Sequence, residues 1–125
     1  MWFGPGVEQG RNILVVEDEP LIAMMLEDFL ETLGHRIHAS CDNLGDALSQ
    51  CEAGGFDLAI LDINLKGELI WPAASALKAR GVPFVIASGG HVEPPPAEFA
   101  DAPLLEKPYT IDRIGPVLQQ AMATA

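Results

Sequence analysis

The sequence predicts an α/β fold: a five-stranded parallel sheet wound with helices on both faces. Three observations carry this. Short apolar runs alternate with amphipathic stretches five times along 125 residues, the pattern of strand–helix–strand units. Two runs, "LAIL" (58–61) and "PFVIA" (83–87), are apolar without alternation, as strands buried on both faces are. Glycines close the helical stretches at Gly34, Gly54-Gly55 and Gly81, where a helix stop is expected.

The elements follow in order. "NILVV" (12–16) is β-branched-rich and ends at Glu17-Asp18. Pro20 suits a first helical turn, where its missing N–H is no loss. Ile22, Leu26, Phe29 and Leu33 then recur at helical spacing, widened by Met25 and Leu30. "HRIHA" (35–39) is a weaker, alternating strand, on which His35 and His38 read as solvated. Asp42 or Asn43 can cap a helix carrying Leu44, Ala47, Leu48 and Cys51. After "LAIL", Pro72 starts a helix through Ala76, Leu77 and Arg80, with Trp71 covering its neck. "EPPPAEFAD" (93–101) is poor helix material, because consecutive prolines lack donors and favour polyproline II. At most a short turn forms from Ala97 onward, so the fourth helix is shortened or irregular. "PLLE" (103–106) is the last strand, and Thr110 can cap a final helix bearing Ile111, Ile114, Val117, Leu118 and Ala121. Residues 1–11 read as a flexible arm and residues 12–125 as one domain. Right-handed crossovers leave few topologies, and a sheet of this size takes the flavodoxin-like order 2-1-3-4-5.

In such a sheet the ligand site lies at the carboxyl ends of the strands. Just past those ends stand Glu17 and Asp18, Asp62, Ser88 and Lys107. Asp62 alone would read as a capping or turn acid; its convergence with two acids and a lysine makes it part of a site. Crowded carboxylates raise one another's pKa, and a divalent cation relieves that strain; hard oxygen ligands suit magnesium. Acids, a lysine and a hydroxyl around such an ion can neutralise a transferring phosphoryl group. Asp62, at the centre of the sheet edge, is then the candidate nucleophile for an acyl phosphate.

"VVEDEP", "LDINLKG", "IASGG" and "EKP", in this order and each at a strand end, resemble the motifs of response-regulator receiver domains over roughly residues 12–122. The resemblance implies that Asp62 is the phosphoacceptor. It also implies that Asp18, Asp62 and the backbone carbonyl of Asn64 bind Mg2+, with Glu17 acting through water. Ser88 and Lys107 would hold phosphoryl oxygens, and the peptide before Pro108 would be cis. "DINLKGELIWPAASALKARGVPFVIASGG" with "DAPLLEKPY" is similar to a single-domain subgroup with a Phe-Ala-Thr-Gly-x-Tyr signature, partners of HWE-type sensor histidine kinases. Here Ile86, Ser88 and His91 stand where that signature has Phe, Thr and Tyr. Leu104 stands where many receivers carry a switch aromatic, leaving Tyr109 and His91 as substitute switch candidates. Implied outputs are protein–protein contact or relay to a histidine phosphotransfer protein, with no enzymatic role beyond self-phosphorylation and autodephosphorylation. The alternative is a degenerate receiver that binds partners without phosphorylation. An aspartyl-nucleophile phosphatase would want a second aspartate where Asn64 stands.

Composition narrows the partners. A net charge of −11 argues against nucleic acid and anionic membranes, which need basic patches. Cys41 and Cys51, without metal-like spacing, read as free thiols in or beside a helix. No apolar run reaches the length of a membrane span, and a signal-peptide pattern is lacking, so cytoplasm is the expectation. Trp2 and Phe3, an aromatic pair in the arm, are left without a role.

Overall fold

In the computed structural model, which describes residues 10–89 and 95–123, the chain runs β1 (Asn12–Val16), α1 (Pro20–Thr32), β2 (Arg36–Cys41), α2 (Leu44–Ala53), β3 (Leu58–Asp62), β4 (Asn64–Leu65), β5 (Glu68–Leu69), α3 (Trp71–Ala79), β6 (Phe84–Ser88), a 3-10 turn η1 (Ala97–Phe99), β7 (Leu104–Glu106) and α4 (Ile111–Ala123). The main sheet has the order β2-β1-β3-β6-β7, all parallel. Counting only its five strands, this is the expected 2-1-3-4-5 order.

Alternation along each strand splits the core in two, because successive side chains face opposite sides of a sheet. Leu14, Val16, Ala59, Leu61 and Ile86 pack with α2, α3 and Phe99 on one face. Ile13, Val15, Leu58, Ile60, Val85 and Ala87 pack with Leu26 and Leu30 of α1 and Ile114, Leu118 and Ala121 of α4 on the other. All five residues of β3 are buried, which explains its unbroken apolar run: it is the central strand, covered on both sides. The run ends in Asp62, the last residue of the strand, at the carboxyl edge of the sheet.

Among the described residues, the expected irregular fourth helix is represented by η1, whose Phe99 is 2% exposed. Phe99 stacks on Trp71 (centroids 5.5 Å apart, planes at 12°) and meets Phe84 edge-on. Lys78 of α3 fastens the same turn, donating to the Glu98 carbonyl at 2.6 Å. Trp71 is therefore the first residue of α3 and a platform for η1, rather than a cover over a helix that starts at Pro72. Asn43 is the cap of α2, its side chain accepting from the Asp46 N–H at 2.8 Å. Pro116 lies inside α4, where it cannot donate a helical bond.

His35, just before β2, and His38 within it are half-buried, not solvated. His35 Nδ1 accepts the Arg11 N–H at 3.0 Å, and His38 tilts against Phe56 with centroids 5.5 Å apart. The lead into β1 and the loop before β3 cover them, and this long-range packing has no local signature. Cys41 and Cys51 are free and buried. Among the described residues no helix is long and apolar enough to cross a membrane. Trp2, Phe3 and His91 lie outside the described residues, as do Gly90 and the first two positions of the proline-rich stretch.

Candidate functional site

The site is built by four strand ends. The Glu17 N–H donates to the Cys41 carbonyl at 2.9 Å, extending β1–β2 pairing one residue beyond β1 and drawing Glu17 to 2% exposure. Asp62 closes β3 at 7% exposure. Ser88 closes β6, half-buried, and its carbonyl accepts the Lys107 N–H at 2.8 Å. That bond carries β6–β7 pairing past Glu106 and aims the lysine stem along the sheet edge.

Lys107 Nζ lies 2.6 Å from Glu17 Oε1 and 3.2 Å from Asp62 Oδ2. Glu17, Asp18 and Asp62 each bring a carboxylate oxygen within 4.8 Å of the other two. One ammonium, paired with Glu17 and Asp62, thus stands against a cluster of three acids, leaving surplus negative charge in a poorly solvated cleft. Burial pushes the Glu17 carboxyl up to about 7, Asp62 adds to the rise, and Lys107 opposes it. For Lys107, burial is the largest influence and works against its charge. The bonds and charges of Glu17 and Asp62 outweigh it and hold the ammonium above its ordinary range.

Glu17 Oε2 is buried and accepts no hydrogen bond among the described residues. A buried carboxylate oxygen without a donor is costly; with hard oxygens clustered around it, the arrangement fits a divalent cation and its water, and Mg2+ suits the donor set.

The remaining expected residues divide. Asn64 is exposed and its Oδ1 accepts the Gly67 N–H at 2.9 Å, so its side chain closes a turn rather than facing the acids. The Lys107-Pro108 peptide is cis. Leu104 is half-exposed on β7, whereas Tyr109 is 4% exposed within the α1–α4 core. Burial, then the charges of Glu17, Asp62 and Glu19, raise the Tyr109 hydroxyl far above its ordinary pKa. Tyr109 therefore lies within the electrostatic reach of the acids, and Leu104 points away from the packed core.

The antiparallel β4–β5 hairpin leaves no periodic pattern in the sequence. Lys66 and Gly67 both have positive φ (52° and 89°), the signature of the tight turn that joins two antiparallel strands. The Lys66 N–H donates to Asp18 Oδ2 at 3.0 Å, and its ammonium lies 3.2 Å from Asp42 Oδ2. The glycine in "LKGE" was the available signal; two-residue strands are too short to register as a period.

A Cβ placed on Gly89 would meet Lys107 Cδ at 3.2 Å, so this glycine makes room for the lysine stem. Gly89→Ala should displace the ammonium by a few tenths of an ångström and slow phosphoryl uptake from a small donor roughly three- to tenfold, since small misplacements at a reacting centre are costly. Unfolding midpoints of the two proteins should stay close, and acetyl phosphate labelling rates check the rest.

Comparison with known proteins agrees with this geometry. The response regulator receiver domain family matches residues 13–101. The solution structure of SdrG from Sphingomonas melonis Fr1 is 48% identical, covers 90% of this chain and 97% of its own, and superposes with a TM-score of 0.82. The response regulator PhyR from Brucella abortus is 25% identical with a TM-score of 0.75, over 92% of this chain and 49% of its own. The transcriptional regulatory protein TcrA of Mycobacterium tuberculosis is 32% identical over 94 residues, 62% of this chain; the chain spans 37% of that relative's length. With the fold, the strand-end acids and lysine, and the family match in agreement, the chain belongs to the response regulator receiver domains of two-component signalling.

Proposed function

We propose that the domain, residues 12–125 behind an arm of residues 1–11, is a cytoplasmic receiver that accepts a phosphoryl group on Asp62 from a sensor histidine kinase. The observation that carries this is the Lys107 ammonium held between Glu17 and Asp62, at 2.6 and 3.2 Å. An Asp62 carboxylate oxygen attacks the phosphorus of the donor phosphohistidine. The O–P bond forms as the N–P bond breaks, and the imidazole leaves with the electron pair and takes up a proton. Asp18, Asp62 and the Asn64 carbonyl would hold Mg2+, with Glu17 acting through water; when bound, the ion supplies positive charge to the phosphoryl oxygens. Lys107 neutralises one oxygen and the Ser88 hydroxyl donates to another. Movement of Ser88 and Lys107 toward the new charge biases the loops after β3 and β6. Tyr109, already within reach of the site's charge, is the favoured switch candidate over Leu104 and His91.

The BeF3-activated conformation known for SdrG, 48% identical over 89% of this chain, supports this reading. Output is assigned to protein contact or relay to a histidine phosphotransfer protein, and an HWE-type kinase is the proposed donor. The exposed aliphatic Leu104 favours one rival, a degenerate receiver that binds without phosphorylation. Intact-protein mass after incubation with acetyl phosphate and Mg2+ decides. One added phosphoryl group, lost in Asp62→Asn and with a chelator, is expected; no adduct in a protein that binds Mg2+ would favour the rival.

A further inference from the structure

The hairpin turn touches the acid cleft through a main-chain group. Lys66 holds a positive φ, a conformation that L residues adopt at a cost, and this pose lets its N–H point at Asp18 Oδ2, 3.0 Å away. Two further contacts hold the turn there: the Asn64 side chain accepts the Gly67 N–H at 2.9 Å, and the Lys66 ammonium pairs with Asp42 at 3.2 Å. Strand ends β1, β2 and β3 are thereby tied together across the mouth of the cleft. Asp18 is half-buried and has one oxygen engaged by this amide, while a carboxylate oxygen of Asp18 also lies within 4.8 Å of Glu17 and Asp62.

We infer that the Lys66 main-chain N–H is a positioning group for the cation site: it fixes the Asp18 carboxylate so that its other oxygen faces Glu17 and Asp62. Metal-binding side chains are routinely oriented by an outer hydrogen-bond partner, whose loss lowers metal affinity about 10–100-fold. Here the partner is a backbone amide in a strained turn, so side-chain exchange alone cannot remove it. The ammonium–Asp42 pair, with side chains 57% and 58% exposed, is a secondary anchor, weak and screened by salt. The inference rests on the receiver reading, specifically on Mg2+ entering among Glu17, Asp18 and Asp62.

The test separates the amide from the side chain. Replacing residue 66 with the α-hydroxy acid of lysine turns the N–H into an ester oxygen and leaves the ammonium in place. Lys66→Gly keeps the N–H and the positive φ and removes the ammonium. Calorimetric Mg2+ titrations of both, of the unaltered protein and of Asp18→Asn are compared at low and high salt. The ester should weaken Mg2+ binding at least tenfold, while Lys66→Gly should stay within about threefold and lose that difference at high salt. An ester protein that is folded by circular dichroism and binds Mg2+ within twofold of normal overturns the inference. An unaltered protein that binds no Mg2+, or an Asp18→Asn protein that binds it equally well, overturns the receiver reading itself and the inference with it.

Discussion

Glu17→Gln should be more stable than the unaltered protein at pH 8, by roughly 2 kcal/mol, and the advantage should vanish near pH 5. Burial raises the folded-state pKa of Glu17 from 4.5 to about 7. Between those values the folded protein holds a proton that the unfolded chain has released, so stability falls as pH rises through this window and is level above it. At 1.36 kcal/mol per pH unit the gap sets a ceiling of about 3 kcal/mol. Part of it is offset, because glutamine gives the Lys107 ammonium a weaker partner than the carboxylate 2.6 Å away. The net charge of −11 gives the whole protein a slope of the same sign, since self-repulsion eases as acids protonate. The difference between the two proteins isolates Glu17, and urea unfolding from pH 5 to 8 without divalent cations checks it. Equal stability at pH 8 would refute the claim that this carboxylate costs stability. The same substitution should weaken Mg2+ binding about tenfold, as loss of an outer partner does, so the residue that destabilises the free protein is retained for the ion.

Where sequence and structure agree, the reason is periodicity acting over five or more residues. The central strand β3 is readable because both faces are covered, and each strand-end acid because it interrupts an apolar run. The convergence of Glu17, Asp18, Asp62, Ser88 and Lys107 then follows from parallel topology alone. Sequence reading fails where one residue answers to a distant partner. Neither His35 nor His38 carries a local sign that Arg11 or Phe56 will cover it. Nothing in the sequence around Asn64, two residues past Asp62, tells that its carboxamide closes a turn. That turn is invisible as periodicity and depends on a lysine adopting a glycine-like φ. Nor does the sequence around Gly89 tell that the nearest atoms to its missing Cβ belong to the Lys107 stem. In each case the strand pattern locates the residue, and packing assigns its neighbour.

The segment that departs most from a regular helix is also the one on which a single core residue matters most. Phe99→Ala should cost about 3–5 kcal/mol, a large share of the roughly 5–15 kcal/mol that holds a domain folded. The prolines before η1 prevent a helix from distributing its hold over several turns, leaving one 3-10 turn to cover this part of the sheet. Phe99 fills the α3-side core at 2% exposure and stacks on Trp71, an arrangement worth about 0.5–1.5 kcal/mol beyond burial. Lys78 adds its ammonium 5.7 Å from the ring centre. Phe99→Leu retains most of the apolar volume and loses the stacking, so it should cost about half as much. If the ring only decorated a turn held by the Lys78–Glu98 bond, both variants would unfold at the midpoint of the unaltered protein. The acids and Lys107 stand on β1, β3 and the end of β7, away from this contact. Phe99→Ala, kept cold enough to remain folded, should therefore still take up a phosphoryl group on Asp62, while the chain around residues 95–103 becomes the preferred point of proteolysis. Stability would drop with the chemistry intact, separating the hold of Phe99 on η1 from the reactivity of the strand-end acids and Lys107.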